Sequence, residues 1–157
     1  MSAEKPVLRL SLCDPTSPEA QRLIRELTEE LAALYDFEDG SGNFKPEDVT
    51  VPGSGFVVGW LGEEAVACGA FRPLEPGIAE IKRMFVASAH RGRGHSRRLL
   101  TELENLARLA GYQAVRLETG VLQPAAISLY DSSDYRRIPC YGIYAECEWS
   151  LCFEKRF

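Results

Sequence analysis

The most informative stretch of the sequence combines two glycines with four arginines between Val86 and Leu100. At its centre it reads Arg91-Gly92-Arg93-Gly94-His95-Ser96, after an apolar strand-like run and before an amphipathic helical pattern. The first N–H groups of a helix lack intrahelical partners and carry partial positive charge, and glycines let an anion approach them closely. The pattern therefore predicts a phosphate or pyrophosphate site at a helix N-terminus.

Two common nucleotide motifs do not fit this stretch. No Gly-Lys-Ser/Thr follows the turn, which excludes a Walker A loop. A dinucleotide fold is disfavoured, because the turn lies mid-chain after several strands and G-x-G-x-x-G is incomplete. The alternative is a merely basic turn, and the position between a strand and a helix argues against it.

The elements that would position this turn follow from hydrophobic periodicity. Alternation or short apolar runs predict strands at 6–13, 55–61, 64–71, 78–86, 114–119, 135–138 and 146–154. A helical period predicts helices at 19–35, 92–110 and 123–132, with Ser17 as the first N-cap. Turns are expected at 62–63 and 72–77, and a long polar loop at 36–55. This order predicts one α/β domain over 1–157, with a mixed, mostly antiparallel sheet of six to seven strands flanked by helices.

The bulk properties exclude several classes of protein. A net charge of -5 and a pI near 5.2 argue against a nucleic-acid binder. The sequence has no membrane-length apolar run and no signal-peptide pattern, so we expect no membrane partner and a cytoplasmic protein. The five cysteines are odd in number and include no C-x-x-C, so we expect neither a disulfide framework nor a metal site.

The glycine-rich turn resembles motif A of the GNAT superfamily of N-acetyltransferases, Arg/Gln-x-x-Gly-x-Gly/Ala at the start of a helix. Arg91 and Gly94 match, Ser96 stands where Gly or Ala is usual, and His95 replaces an aliphatic residue. The resemblance implies acetyl-CoA or a close acyl-CoA as co-substrate, without a metal. It places the pyrophosphate on the amides of Arg91, Gly92, Arg93, Gly94, His95 and Ser96, and the pantetheine arm beside Phe85 and Val86.

A second stretch, 123–135, resembles motif B of the same family, Asn-x-x-Ala-x-x-Leu-Tyr-x-x-x-Gly-Phe. Ala126, Leu129 and Tyr130 match, while Gln123, Asp134 and Tyr135 replace Asn, Gly and Phe. The resemblance implies that Gln123 reaches the pantetheine and that Tyr130 protonates the leaving thiolate, for which a phenol is a suitable donor. The alternative is that Tyr130 only packs in the core.

The acceptor side is less well defined. Glu80 matches a position where some family members hold a general base, and the alternatives are a water relay or a surface pair of Glu80 with Lys82. By resemblance the acceptor binds beside the first helix and the last loops, which nominates Tyr35, Tyr141 and Tyr144. The two later tyrosines have the alternative role of capping the sheet.

The resulting functional expectation is transfer of an acetyl group from acetyl-CoA to a primary amine of a small molecule, by direct attack. One alternative is a non-catalytic acyl-CoA-binding module, since Ser96, Gln123 and Asp134 depart from the pattern. Another is a protein N-terminal or lysine acetyltransferase, against which the long 36–52 segment argues weakly, because it could cover a small pocket. The resemblance is compatible with a homodimer, which no residue pattern decides.

Overall fold

The computed structural model describes residues 6–36 and 43–157 and forms one mixed sheet with helices on both faces. In the described residues the strands are β1 (Arg9–Leu12), β2 (Gly55–Leu61), β3 (Glu64–Glu75), β4 (Ile78–Val86), β5 (Ala114–Gly120), β6 (Arg136–Ile138) and β7 (Ser150–Arg156). The α-helices are α1 (Pro18–Tyr35), α2 (His95–Leu109) and α3 (Pro124–Asp131). The predicted α/β class and the mixed, mostly antiparallel sheet of six to seven strands are confirmed, with seven strands in the sheet. The predicted loop 36–55 includes 37–42, which lie outside the described residues.

The sheet order is β1-β2-β3-β4-β5-β7-β6. Strands β1 to β4 form an antiparallel meander, and β7 lies antiparallel between β5 and β6. The only parallel pair in the described chain joins β4 to β5, across the connection that contains α2. A crossover helix is what a parallel pair requires, so the local elements and the topology agree.

Several element bounds differ from the sequence predictions. β3 continues to Glu75, so the predicted turn at 72–77 shrinks to Pro76 and Gly77, where Gly77 has a φ of +79°. α2 begins three residues late, at His95, because Gly92 and Gly94 adopt left-handed backbone conformations that a helix excludes. The last strand begins at Ser150 rather than Glu146. Ser17 caps α1 as predicted, accepting a hydrogen bond from the Ala20 N–H.

Each face of the sheet packs against different helices. On one face, Leu99 and Leu103 of α2 and Tyr130 of α3 join a core with Val115 and Phe153 of the sheet. On the other face, α1 covers mainly β2 and β3 through residues such as Leu23 and Leu27. The second face continues past α1 onto β4, β5 and β7, and there its side chains are largely polar.

Strand β4 carries a bulge that the simple alternation of the sequence did not predict. The register with β3 slips between the Cys68–Phe85 and Ala70–Lys82 pairs, and Arg83 has a φ of +56°. The guanidinium of Arg83 donates to the Thr28 hydroxyl and to the Ile24 carbonyl of α1, which ties the bulge to that helix. A bulge inserts one residue, so Lys82 and Phe85 end up on the same face of the sheet.

The cysteine prediction is wrong at one pair. Cys140 and Cys152 form a disulfide, with a Cα–Cα distance of 5.1 Å. The sequence count missed it because pairing of β6 with β7 places Ile138 opposite Cys152, which brings Cys140 within reach. The described residues contain no metal-binding cluster and no helix that is long and apolar enough to span a membrane.

Candidate active site

The predicted anion site lies at the N-terminus of α2. Gly94 is the N-cap residue with a φ of +80°, Gly92 has a φ of +76°, and no side chain caps the helix. A Cβ added at either glycine would meet no heavy atom within 4 Å, so the approach to the first-turn amides is open. These amides have no intrahelical acceptors and point toward the open side, which fits a phosphate group.

The arginines around the turn have separate contacts. Arg91 donates to the Val86 carbonyl at 2.8 Å and pairs with Glu30 of α1 at 2.8 Å, so it fixes the turn against the strand end. Arg97 donates to the Ser132 and Ser133 hydroxyls at the end of α3. Arg98 donates to the Leu8 carbonyl, whereas Arg93 is exposed at the turn itself. The sequence predicted a cluster of positive charge at the amide cradle, the backbone N–H groups of Gly92 to Ser96. The structure shows that most of these arginines also hold the cradle in place.

His95 and Ser96 occupy the first turn of α2 and are partly buried. Burial, with added repulsion from Arg93, His90 and Arg98, lowers the pKa of His95 below its ordinary value. His95 is therefore neutral at neutral pH, and the positive charge of the cradle comes from the arginines and the helix N-terminus.

Beyond the cradle, β4 and β5 separate. Their register pairs end at Glu80 and Arg116, yet β4 continues to Val86 and β5 to Gly120. The two strands therefore do not pair with each other over the stretch that contains Phe85 and Val86. An extended polar chain could add its own hydrogen bonds along such an edge. The arrangement provides a cleft that leads from the α2 N-terminus into the sheet.

Tyr130 of α3 lies beside this cleft. Its ring packs on Tyr135 and Phe153 at centroid distances of 5.7 and 5.5 Å, and its hydroxyl lies 3.8 Å from the sulfur of Met84 on β4. Burial and the nearby charge of Glu118 raise the pKa of Tyr130, which keeps the phenol protonated. The Tyr130 ring therefore packs in the core, as the alternative to the catalytic role predicted, while its hydroxyl reaches toward β4.

The turn after α3 keeps the geometry of motif B despite its substitutions. Asp134 adopts a φ of +67°, as expected for a residue that replaces glycine. Tyr135, in place of phenylalanine, is buried and donates its hydroxyl to Glu104 of α2 at 2.7 Å. These departures are compensated locally and leave Tyr130 in position.

The structure places Tyr35, the last residue of α1, against Leu122 and Gln123 in the loop between β5 and α3. The Tyr35 hydroxyl accepts from the Leu122 N–H at 3.0 Å and lies 3.5 Å from the side-chain nitrogen of Gln123. A Cβ on Gly120 would come within 1.7 Å of that hydroxyl, so only glycine allows the approach. Tyr35 thus braces the motif B loop from α1, a contact that the sequence did not indicate.

Glu80 is deeply buried, so the surface-pair alternative is wrong. Its side chain is 3% exposed and forms an ion pair with the Arg72 guanidinium, with nitrogen–oxygen distances of 3.0 and 2.8 Å. Its second oxygen accepts from the Tyr141 hydroxyl at 2.7 Å. The sequence missed Arg72, which lies opposite Glu80 in the register of β3 with β4.

Lys82 and Tyr144 form the neighbouring contact. The Lys82 ammonium donates to the Tyr144 hydroxyl and lies 5.0 Å from the centre of its ring. Tyr141 and Tyr144 stack edge to face at 5.7 Å. Burial lowers the pKa of Lys82, although the charges of Glu80 and Glu118 oppose that effect. The two tyrosines thus lie over the polar face of β4, and their part in acceptor binding stays a prediction.

Glu118 of β5 is a residue of this face that the sequence analysis missed. It is partly buried, and its carboxylate accepts from the Ser150 hydroxyl at 2.5 Å. Burial raises the pKa of Glu118, Glu80 adds to the rise, and the Ser150 hydrogen bond and Lys82 oppose it. The only sequence signal is polar alternation of Arg116 and Glu118 in a strand, which is common on exposed faces.

An open groove reaches Glu80 from the surface. It has a volume of about 900 Å³ and is lined by Asn43, Phe44, Lys45, Glu47, Asp48, Val51, Arg72, Pro73, Leu74 and Glu80. Arg72 links its two walls, since it also pairs with Asp48 at 2.8 Å. Residues of the described range 43–51 therefore form one side of this groove.

Comparison with known proteins now decides the family. The profile of the Acetyltransferase (GNAT) family matches residues 17–135. The chain belongs to the GNAT family. This membership confirms the predicted enzyme class, an acyl-CoA-dependent N-acetyltransferase, because the matched region contains the α2 cradle and Tyr130.

Individual relatives of this GNAT protein support the same family assignment. A protein of Azospirillum brasilense named IAA acetyltransferase is 36% identical over 142 residues, covering 90% of this chain and 92% of its own length. The crystal structure of an acyl-CoA N-acyltransferase from Klebsiella pneumoniae is 31% identical, with a TM-score of 0.77 and coverage of 95% and 97%. A GNAT acetyltransferase from Elizabethkingia anophelis, solved with acetyl-CoA bound, has a TM-score of 0.70 at 16% identity and coverage of 96% and 98%, which shows the shared fold.

Proposed function

We propose that this protein transfers an acetyl group from acetyl-CoA to a primary amine of a small molecule. The observation that carries the proposal is the cleft between β4 and β5. It has the uncapped N-terminus of α2 at one end and the Tyr130 hydroxyl beside it, while the polar face with Glu80, Lys82 and Glu118 borders it. An anion site, an acid and an amine-compatible surface thus converge on one gap.

The residues around the cleft fit acetyl-CoA. The amides of Gly92 to Ser96 suit a pyrophosphate, and the exposed Arg93 adds positive charge. The free edge of β4 at Phe85 and Val86 suits the amide groups of a pantetheine arm, and Gln123 at the start of α3 offers a side-chain amide to it. Acetyl-CoA is bound in the Elizabethkingia anophelis structure of the same fold, which supports this choice.

The acceptor side favours a small molecule. A groove of about 900 Å³ lies within the range of roughly 300–1,000 Å³ that is usual for small-molecule sites. Its walls carry both signs of charge, with Lys45 and Arg72 facing Glu47, Asp48 and Glu80. The name of the Azospirillum brasilense relative also points to a small acceptor. The openness of the groove keeps a peptide acceptor as the alternative that the assay must separate.

The bound thioester supplies an activated acetyl group. Backbone N–H groups on the free edge near Phe85 and Val86 polarise the carbonyl by hydrogen bonding. Tyr130, held protonated by its buried setting, donates its proton to the departing sulfur. Tyr141 and Tyr144 are held over the polar face by their hydrogen bonds with Glu80 and Lys82. Each of these actions uses a group whose position is fixed by packing or hydrogen bonds.

Calorimetric titration with acetyl-CoA tests the cofactor site. Gly94→Glu adds a side chain and a negative charge where the cradle is open, so we expect micromolar binding to be lost. Gly62→Glu is the matched control, because Gly62 also has a positive φ, +60°, and open space, but lies in the β2–β3 turn. Equal loss in both variants, or no binding to the folded wild type, would contradict the proposal.

Release of free CoA tests the acceptor. The panel contains tryptamine, spermidine, L-lysine and glucosamine as small primary amines, and a ten-residue peptide with a free N-terminus and one internal lysine. We expect at least one small amine to be acetylated with a kcat/KM more than tenfold above that of the peptide. A peptide preferred over every small amine would favour the protein acetyltransferase alternative. The predicted homodimer stays a prediction, which light scattering of the purified chain checks.

A further inference from the structure

Lys82 is a buried cation on the polar face of β4 without a direct ionic partner. The residue is 7% exposed, and its ammonium donates to the Tyr144 hydroxyl, whose ring centre lies 5.0 Å away. Among residues 6–36 and 43–157, no carboxylate lies within ion-pair distance of the Lys82 nitrogen, and Tyr144 is its only hydrogen-bond partner. Because an ammonium has three donor hydrogens and buried charges are normally paired, part of its bonding capacity remains open to a ligand.

Two other cations near the acceptor groove have a different setting. Arg72 pairs with both Asp48 and Glu80, at 2.8 Å each, so its charge is already compensated. Lys45 is exposed at the rim of the groove, where water solvates it. Lys82 differs from both, because it is buried and can still bind an anion.

Lys82 lies where β4 and β5 separate. The last register pair of the two strands joins Glu80 to Arg116, and Lys82 follows Glu80 by two residues. The bulge at Arg83 places Lys82 on the same face as Phe85, at the strand edge where the proposed function places the thioester. An acceptor amine that reaches this edge would bring its neighbouring substituents close to the Lys82 ammonium.

The charges around Lys82 suit an acceptor that carries both signs of charge. Burial lowers the pKa of Lys82, the charges of Glu80 and Glu118 raise it, and those of Arg72 and Arg83 lower it further. Two carboxylates thus lie near the buried ammonium, although neither pairs with it directly. A ligand with an ammonium and a carboxylate a few bonds apart can face a group of opposite sign with each end. Its carboxylate would also offset the cost of burying the Lys82 charge.

We propose that Lys82 binds a carboxylate of the acceptor and that the preferred acceptors are α-amino acids, an inference that rests on the proposed function. The α-amine is one carbon away from the carboxylate, so a carboxylate on Lys82 leaves the amine beside the free edge of β4. The products are the N-acetyl amino acid and free CoA. Lys82 is a specificity-determining residue in this scheme and takes no part in the bond changes of the transfer.

Matched acceptors that differ at the carboxylate test this inference. L-leucine is compared with isopentylamine, which lacks the carboxylate, and with L-leucine methyl ester, in which it is neutral. L-tryptophan and tryptamine form a second pair. We expect kcat/KM for each amino acid to exceed that of its partner by about tenfold or more, mainly through a lower KM. The ester amine loses its proton more readily than that of the amino acid, so amine reactivity does not explain a preference for the acid.

Lys82→Met removes the charge and keeps a side chain of similar length. We expect kcat/KM for L-leucine to fall about 10–100-fold, as for loss of a hydrogen bond to a charged group, and that for isopentylamine to stay within about threefold of wild type. The comparison of the two acceptors cancels any general effect of the substitution on the reaction. Lys82→Arg keeps a positive charge and should retain part of the preference.

Lys155→Met is the matched control, because Lys155 is a partly buried lysine that pairs with Glu104 on the opposite face of the sheet. It should leave the preference for the amino acid unchanged. Calorimetric titration with acetyl-CoA checks that each variant is folded and keeps its cofactor site. If Lys82→Met does not fold, the wild-type comparison of L-leucine with its methyl ester decides by itself.

The outcomes separate this inference from the proposed function. An equal loss for L-leucine and isopentylamine in folded Lys82→Met would overturn the inference alone. So would a wild type that acetylates isopentylamine and the methyl ester as well as L-leucine. Absence of CoA release by the wild type with every amine and amino acid would overturn the proposed function, and this inference with it.

Discussion

The cofactor side and the acceptor side of this protein are built in opposite ways. The cradle at the α2 N-terminus consists of consecutive residues, Gly92 to Ser96, whose backbone amides are the groups that we propose to bind the pyrophosphate. The acceptor side is assembled from single side chains of four separate segments, namely Arg72 of β3, Glu80 and Lys82 of β4, Glu118 of β5, and the tyrosines before β7.

The difference explains why the two sides respond differently to sequence change. A backbone cradle tolerates replacements such as His95 and Ser96, provided that Gly92 and Gly94 keep their left-handed conformations. A site that is made of individual side chains changes whenever one of those residues is replaced. We therefore expect the GNAT fold to keep its co-substrate while the acceptor varies. The predictions below separate the two sides, in order of decreasing effect.

The largest effect is expected between the two sides, at the cleft. Tyr130→Phe removes only the hydroxyl, so we expect kcat to fall about 10²-fold through loss of the acid, with acetyl-CoA affinity unchanged. Steady-state kinetics and calorimetry measure the two quantities. Tyr135→Phe is the control, since it removes a neighbouring hydroxyl that bonds Glu104. Retention of full kcat in Tyr130→Phe would assign Tyr130 to packing alone.

The second prediction concerns the disulfide on the acceptor side and its contribution to the free energy of unfolding. Cys140→Ser opens the 12-residue link to Cys152, and a loop of this size implies a loss of about 3 kcal/mol in unfolding free energy. For a chain of this length we expect the melting temperature to fall by roughly 6–12 °C. Cys147→Ser, a free cysteine in the same segment, is the control. A melting temperature that does not move would contradict a stabilising role for the bridge.

Tyr141 tests the acceptor side through binding. Tyr141→Phe deletes the hydrogen bond to Glu80, a bond to a charged group that is worth about 1.5–3 kcal/mol. We expect the KM for the amine to rise about tenfold, because the loop over the polar face loosens. Acetyl-CoA affinity should not change. Tyr135→Phe, whose hydroxyl donates to Glu104 of α2, is the control. A weaker acetyl-CoA complex would show that the two sides are coupled.

The smallest effect is expected from the cradle's exposed charge. Arg93→Gln should weaken acetyl-CoA binding by about threefold at low ionic strength, because exposed ion pairs contribute little. The difference should shrink at high salt, where the Debye length falls to about 3 Å at 1 M. Titrations at two salt concentrations measure it. The control is Arg108→Gln, near the other end of α2 and stacked on Phe157. It should change neither the affinity for acetyl-CoA nor its dependence on salt.

The pattern of successes and failures in sequence prediction follows the same division. The helix and strand order, the Ser17 cap, the cradle glycines and the left-handed Asp134 were predictable, since each depends on neighbours within a few residues. The β4 bulge, the longer β3 and the Cys140–Cys152 bridge were not. They arise from register with another strand, which a single sequence does not contain.

The sequence by itself determined the α/β fold class, the family and the amide cradle, because periodicity, glycine conformation and helix polarity are local properties. Only the tertiary structure decided that Arg72 neutralises Glu80, that Tyr35 braces the Gln123 loop, and that Glu118 borders the cleft. Those contacts join residues far apart in the chain, and burial raises the pKa of Glu118. Both the contacts and the burial exist only once the sheet has formed.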